Sequence, residues 1–355
     1  MNYKAKPTNL PPKKNLNWQK LGFDYKKCDY RFQARWKNGQ WDDGQICTDE
    51  FINLHEGSTA IHYAQQCFEG LKAKTAKDGR ILLFRPSLNW ERMKTTAKRL
   101  MMPAPSKELF FKGLHETVLR NYDLLPPFGH GASLYLRPLL IGVGSNLGIR
   151  KAPEYIFRIF ASPVGPYYKK GQVIPITLKI SDNDRVAPSG IGAYKAGANY
   201  IAGLQEQYQI KKNNADDVLF LDPLHHKYLE EAGAANIIVY FKNNTIATPK
   251  ASTILPSITR KSAMTIASDM LNIKTEVRQI DFYQELPNIL ELANCGTAAV
   301  VSPIGRIIDV DGKHYDFHHQ DQSKDSIMIK LGEILNNIQL GIIEDSYDWN
   351  YQIYP

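Results

Sequence analysis

Ser189-Gly-Ile-Gly-Ala-Tyr-Lys195-Ala-Gly-Ala-Asn-Tyr200 sets a single lysine among glycines and alanines, just ahead of an expected helix. Residues without side-chain bulk let the backbone and a flat ligand approach closely. A lysine that acts as a nucleophile must be partly deprotonated, and burial in a tight apolar pocket promotes that. Alone, the stretch reads more simply as a solvated loop lysine between flexible glycines.

Its neighbours in the sequence change the balance. Glu230-Glu-Ala-Gly-Ala-Ala-Asn236 places Glu231 ahead of four small residues and a strand expected at Ile237–Phe241. Thr253-Ile-Leu-Pro-Ser-Ile-Thr259 delivers backbone amides to a helix N-terminus, a natural seat for phosphate. Asn294-Cys-Gly-Thr-Ala-Ala299 offers a second such turn, with a hydroxyl on Thr297, and Arg85 ends the strand Ile81–Phe84. A Schiff-base lysine, a carboxylate for a ring nitrogen, two anion-binding turns and an arginine are the parts of a pyridoxal phosphate site. Each part has a plainer alternative: Glu231 as a turn residue, Ser257 as a helix cap, Thr297 as a strand start, Arg85 as a surface charge. Together they are much harder to dismiss.

The 355 residues, 43% of them apolar and 23% charged, have the balance of a globular chain of about two domains and argue against disorder or a membrane span. The formal charge of +8 is carried entirely by residues 1–37, where ten basic side chains face only Asp24 and Asp29. Such an arm could serve nucleic acid, a membrane surface or import. It has no apolar run for a secretory signal, residues 1–30 contain neither Arg nor Ser, and Pro7, Pro11 and Pro12 oppose a membrane-lying helix. A solvated start, flexible over 1–17, is expected instead. The four cysteines form no C-x-x-C pair, which fits a reducing cytoplasm.

Other motifs fail. Gly142-Val-Gly144 with Gly148 is one residue too long for a dinucleotide fingerprint, and Gly192 and Gly197 are followed by Ala198-Asn199 where a phosphate loop needs Lys and Ser/Thr. No G-x-S-x-G occurs. The pairs His225-His226 and His318-His319 lie in polar stretches and read as exposed loop residues, so no metal is expected.

Periodicity predicts a mixed α and β chain in two parts. Strands are expected at 80–84, 132–141, 155–161, 176–181, 217–222 and 236–242. Helices are expected from Pro86 to Leu100, from a Ser106 cap to about Tyr122, and near 198–212, 257–271 and 324–340. Turn formers between Ser162 and Gly171 place a linker at about 163–175.

Gly-Ala-Tyr-Lys-Ala-Gly-Ala-Asn-Tyr, Glu-Ala-Gly-Ala-Ala-Asn and His62-Tyr-Ala-Gln-Gln-Cys-Phe-Glu-Gly70 resemble the signatures of branched-chain amino acid aminotransferases, longer form. So do Leu83-Phe-Arg-Pro86, Tyr135-Leu-Arg-Pro138 and Ser162-Pro-Val-Gly-Pro-Tyr167, in order from about Trp36 to Trp349. The resemblance implies a mixed α/β (α+β) chain of PLP fold type IV: a small α/β N-terminal domain (1–162), a connecting loop (163–175) and a larger pseudo-barrel domain that binds the cofactor (176–355). It also implies a homodimer that moves the amino group of leucine, isoleucine or valine to 2-oxoglutarate, in the cytoplasm that the cysteines suit. Small amino and 2-oxo acids are its expected partners, with no nucleic acid or membrane.

Carried over by position, the resemblance makes Lys195 the catalytic residue, linked to pyridoxal 5'-phosphate and moving the substrate proton. Glu231 would meet the pyridine nitrogen and Tyr200 the phenolic oxygen. Arg85, the amides of Ile258 and Thr259, and Thr297 would hold the phosphate, with Arg185 near the cofactor. Tyr63, Phe68, Tyr135 and Tyr167 would wall the substrate pocket, Arg137 would take the γ-carboxylate of glutamate, and Ala234 and Ala298 would adjoin the substrate. Three departures are visible. Ala299 and Ser302 stand where animal relatives carry a cysteine pair, Ala234 stands where they carry Thr, and an aromatic wall often seen near Lys27 has no clear counterpart. A D-amino acid aminotransferase or an aminodeoxychorismate lyase would share the fold, and a nucleic-acid binder using the basic arm is the reading from another class.

Overall fold

Along strand Ser133–Val143, Leu134, Leu136 and Leu140 are fully buried, while Tyr135 and Arg137 alternate with them on the opposite face. The sheet built around this strand is therefore two-faced. The structure, a computed structural model, describes residues 10–165, 173–210, 214–298, 300–317 and 325–354. The chain forms two units: Met1–Tyr167 with Lys195–Gly197 and Asn337–Pro355, and Tyr168–Tyr194 with Ala198–Asn336.

In the first unit, nine antiparallel strands form one sheet. Its main path runs Asn350–Ile353, Ile81–Phe84, Leu71–Thr75, Ser133–Val143, Glu154–Val164, Arg31–Lys37 and Gln40–Trp41. Gln45–Cys47 pairs with Arg31–Lys37, and Gln66–Phe68 with Ser133–Val143. Helices Pro86–Arg99 and Lys107–Arg120 cover one face, packing Met93, Ala97, Phe110, Leu114 and Val118 against Phe32, Phe157 and Ile159. Phe110 stacks on Phe157 with ring centroids 5.9 Å apart. A Cβ at Gly113 would lie 2.7 Å from the Phe32 ring, so glycine sets how closely helix and sheet approach. The expected helix ends are present: Pro86 lies in the first turn, and Ser106 Oγ accepts the Leu109 N–H at 3.1 Å.

In the second unit, the sheet runs Leu229–Ala232, Asp217–Leu221, Ile176–Ile180, Val300–Ile308, Ile289–Gly296, Asn236–Phe241, Thr245–Pro249 and Lys274–Arg278, with His314–Asp316 beside Val300–Ile308. Glu231 also pairs with Asn236, which closes the first six strands into a ring. This is the pseudo-barrel of the expected fold type, filled by Leu178, Leu219, Ile237, Val239, Leu292 and Ile304. Helix Ile258–Leu271 buries Ile266 and Ala267, and Glu291 accepts the N–H groups of Ile327 and Met328 at the start of helix Ile327–Gln339.

Several expectations are corrected. The second domain does not extend to 355: strand Asn350–Ile353 pairs with Ile81–Phe84, so Asn337–Pro355 belongs to the first unit and gives it the larger share of the chain. Most of the expected linker lies outside the described residues. The helix near 198–212 is broken into Ala198–Ile201 and Leu204–Ile210. Gly203 between them is a poor helix former, and its missing side chain leaves the Phe220 ring 3.2 Å from where a Cβ would be.

The described part of the basic start makes contacts with the first unit. Lys14 donates its N–H to Asp123 O at 2.8 Å and pairs with Asp123 and Asp29, Lys13 Nζ sits 3.2 Å from the Tyr122 ring centroid, and Trp18 is buried. Residues 1–9 lie outside the described residues. His225 and His226 are exposed, as expected, around Asp222, while His318 and His319 lie outside the described residues. Among the described residues, no helix is long and apolar enough to cross a membrane.

Phe157→Ala should cost about 3–5 kcal/mol and Ser106→Ala only about 1 kcal/mol. Urea unfolding followed by tryptophan fluorescence checks the order, and equal losses would contradict the packing described.

Candidate active site

The lysine segment lies against a strand of its own unit. Phe68 donates its N–H to Lys195 O at 3.2 Å, Cys67 and Ala196 form a bridge, and Lys195 donates its N–H to Thr96 Oγ1 at 3.1 Å. Gly197 permits this, since a Cβ there would be 2.6 Å from Gln66 Nε2. Lys195 Nζ stands 4.7 Å from the Phe68 ring centroid. Burial pulls the amine down to about 8 from its ordinary 10.5, with the Arg92 charge acting the same way and Glu69 against it.

Arg137 shares this neighbourhood. Its guanidinium lies 4.9 Å from the Phe68 ring centroid and 5.3 Å from that of Tyr135, and Nη2 donates to the Tyr135 hydroxyl at 3.4 Å. Its Nε is buried with no hydrogen-bond partner. A Cβ at Gly70 would collide with the Tyr135 hydroxyl, which explains glycine after Phe68-Glu69. Phe23, four residues before Lys27, closes on Tyr135 edge-on at 5.1 Å.

Beneath these groups is a buried charge network that sequence reasoning missed. Fully buried Glu69 accepts from Arg92 Nε at 2.8 Å and Nη2 at 2.7 Å, and from Asn89 Nδ2 at 2.8 Å. Glu69 follows Phe68 within a quoted motif, but nothing in its spacing names Arg92, 23 positions along, as its partner. Also in the first unit, Arg85 takes φ +49° at the start of helix Pro86–Arg99, with its guanidinium 4.7 Å from the Trp349 ring centroid.

In the second unit, Glu231 lies on the strand that closes the barrel and is 5% exposed. Arg185 Nη2 meets its Oε2 at 2.9 Å and donates to Thr253 O at 2.6 Å, while Asn236 Nδ2 donates to its Oε1. Burial pushes the Glu231 carboxyl up to about 7, with Arg185 opposing. Thr253 also donates its hydroxyl to Glu230, and a Cβ at Gly192 would collide with the Thr253 carbonyl. Ser257 Oγ accepts the Arg260 N–H at 3.2 Å and Ser257 O that of Lys261, so the amides of Ile258 and Thr259 have no partner within the helix. Gly296, just before Thr297 and Ala298, comes within 3.8 Å of Ala234 O, measured from its ideal Cβ. Tyr200 lies on the short helix Ala198–Ile201.

Within the first unit the structure thus gathers Lys195, Phe68, Tyr135 and Arg137. Within the second it gathers Arg185 with Glu231, and Ala234 with the turn at Thr297. Tyr63 stands apart from the first group: it is 43% exposed, and its hydroxyl donates to Leu147 O at 2.7 Å. Tyr167 lies outside the described residues.

The family profile described as Amino-transferase class IV matches residues 66–307. The chain belongs to the class IV aminotransferases. It is 47% identical to the branched-chain-amino-acid aminotransferase of Haemophilus influenzae, over 95% of this chain and 98% of that protein. It is 42% identical to the enzyme of the same name from Helicobacter pylori, over 97% and 100%. In fold it is similar to the Escherichia coli branched-chain amino acid aminotransferase, with a TM-score of 0.74 and 23% identity over 92% and 100% of the two chains. A Thermobaculum terrenum branched-chain amino acid aminotransferase in its PLP form also has a TM-score of 0.74, with 19% identity over 92% and 99%.

The side chains of this class IV aminotransferase fit pyridoxal 5'-phosphate. An amine brought toward neutrality suits the aldehyde, a buried carboxylate suits the ring nitrogen, and uncommitted amides at a helix start suit the phosphate. Buried Arg185 Nε and Asn236 Oδ1, both without a partner, leave polar capacity around Glu231.

In cofactor-free protein, acylation of Lys195 should rise with pH through about 8, because the neutral amine is the reactive form. Competitive labelling read by mass spectrometry checks this, and a midpoint near the ordinary 10.5 would refute the burial effect. The sign for folding is the same: the unfolded chain holds that proton more tightly, so this group's contribution to stability worsens as pH falls from about 10.5 toward 8.

Proposed function

We propose that this class IV aminotransferase reversibly transfers the amino group of L-leucine, L-isoleucine or L-valine to 2-oxoglutarate, giving the branched 2-oxo acid and L-glutamate. The observation that carries the reading is Lys195 and Arg137 ranged over Phe68, with Tyr135 and Phe23 beside them. Relatives at 42–47% identity over nearly their whole length bear the name of that activity.

When bound, pyridoxal 5'-phosphate supplies an electron sink for charge developing at the substrate Cα. Lys195 would anchor it and then, as a free amine near neutrality, carry the proton from Cα. Glu231, held by Arg185 and Asn236, would keep the ring nitrogen protonated, and Tyr200 would bind the phenolic oxygen. Arg85, the Ile258 and Thr259 amides and Thr297 would bind phosphate. The rings of Phe68, Tyr135 and Phe23 suit a branched aliphatic side chain, worth about 0.8 kcal/mol per buried CH₂, and exclude water. Arg137, with its uncommitted Nε, would accept the second carboxylate of glutamate or 2-oxoglutarate. Ala234 and Ala298 would border the substrate, as would Tyr167.

We also place the protein in the cytoplasm as a homodimer. All four cysteines are free, which suits a reducing compartment. Leu147 and Ile149, 88% and 89% exposed, offer an apolar loop that a second copy would cover.

A coupled assay should show turnover with L-leucine and little with D-alanine or aminodeoxychorismate. Lys195→Ala should lose turnover by about a thousandfold or more, together with the reducible cofactor link. A fully active Lys195→Ala protein would sink the mechanism. Arg137→Leu should raise KM for 2-oxoglutarate by about tenfold or more, with a much smaller effect on leucine. Equal effects on both substrates would remove Arg137 from carboxylate recognition.

A further inference from the structure

The C-terminal segment ends in an aromatic arrangement directed at one arginine. Tyr347 and Trp349 stack with centroids 4.3 Å apart and planes 14° from parallel, and Phe84 meets Trp349 edge-on at 5.6 Å. Trp349 is 8% exposed, and the Arg85 guanidinium carbon lies 4.7 Å from its ring centroid.

The backbone is tied at the same place. Asn350 pairs with Phe84, and one step further Arg85 donates its N–H to Trp349 O at 2.7 Å. This bond lies beside the left-handed backbone of Arg85 at φ +49°, a conformation uncommon for a residue with a side chain. The turn before Trp349 is closed by Asp345, which accepts from Asn350 N at 2.6 Å and Tyr347 N at 3.3 Å. Asn350 Nδ2 further donates to Ile338 O at 2.7 Å, anchoring the segment to the last helix.

We propose that Trp349 is a positioning residue for the cofactor phosphate: the C-terminal segment, folded back onto the sheet, aims the Arg85 guanidinium through the face of the indole ring. This rests on the reading of Arg85 as a phosphate ligand. An arginine side chain has four rotatable bonds, and a guanidinium spread over an aromatic face loses much of that freedom before the anion arrives. The planar fork can then meet phosphate with less ordering left to do. Asp345 favours the charged guanidinium against the burial that opposes it. The strand pairing that completes the sheet thereby also sets how firmly the phosphate is gripped.

The test compares pyridoxal 5'-phosphate with pyridoxal, which lacks the phosphate, by absorbance titration of the full chain after cofactor removal. Trp349→Leu keeps apolar bulk and removes the π face. It should weaken binding of the phosphate form by about tenfold and leave pyridoxal unchanged. Trp349→Phe keeps an aromatic on the same packing and should give a smaller loss, again for the phosphate form alone. This variant carries the test if the leucine variant does not fold.

Arg85→Ala should lose the same discrimination, and Trp349→Leu added to Arg85→Ala should weaken phosphate binding no further. Equal weakening of both ligands by the Trp349 variants, or of neither, would overturn the proposal and leave Arg85 in place. If Arg85→Ala does not discriminate between the two ligands, the phosphate reading of Arg85 fails and the proposal falls with it.

Discussion

The alternation of strand Ser133–Val143 gives the first unit two chemistries on one sheet, because successive side chains of a strand point to opposite faces. Leu134, Leu136 and Leu140 join a core closed by two helices, and that closure fixes which face of the strand is buried. Tyr135 and Arg137 are carried on the other face with no freedom to slide, since a one-residue slip would exchange leucines for an arginine in the core. The groups around Lys195 inherit their positions from this constraint. Phe68 is paired opposite Leu139, and Lys195 is bonded to the backbone of Phe68.

Burial then sets the chemistry of the charged groups. It moves the Lys195 amine down to about 8 and the Glu231 carboxyl up to about 7, one cause acting oppositely on a cation and an anion. Two buried carboxylates are held by partners: Glu69 by Arg92 and Asn89, Glu231 by Arg185 and Asn236. Such pairs add little net stability relative to apolar replacements. Removing one partner, however, costs about 3–5 kcal/mol, so the arrangement resists partial change. Their value here lies in orientation, because each sits within a few residues of a group that would meet cofactor or substrate.

Much of this was legible in the chain. Lys195 among small residues, Glu231 before a strand, Ser257 ahead of a helix and Arg85 after a strand are local patterns, and local patterns survive folding. The helix over 198–212 was misread because Gly203 answers to the Phe220 ring and not to helix periodicity. Counting charges along residues 1–37 finds Asp29 but not Asp123, which joins it in pairing with Lys14 from far along the chain. Tyr63 shares a motif with Phe68 yet faces Leu147, since the chain turns through a left-handed Ala64 between them.

By itself the sequence determined the mixed strand and helix content, the lysine and its carboxylate, and the order of the motifs, since these depend on residue type and short spacing. Tertiary structure alone decided which distant residues serve one another. Arg92 reaches Glu69, Phe23 meets Tyr135, and Trp349 lies over Arg85. The return of Asn350–Ile353 to the first sheet and the closure of the barrel through Glu231 and Asn236 are of the same kind. Pairings across long stretches of chain depend on strand register and packing, and no spacing rule within one element encodes them.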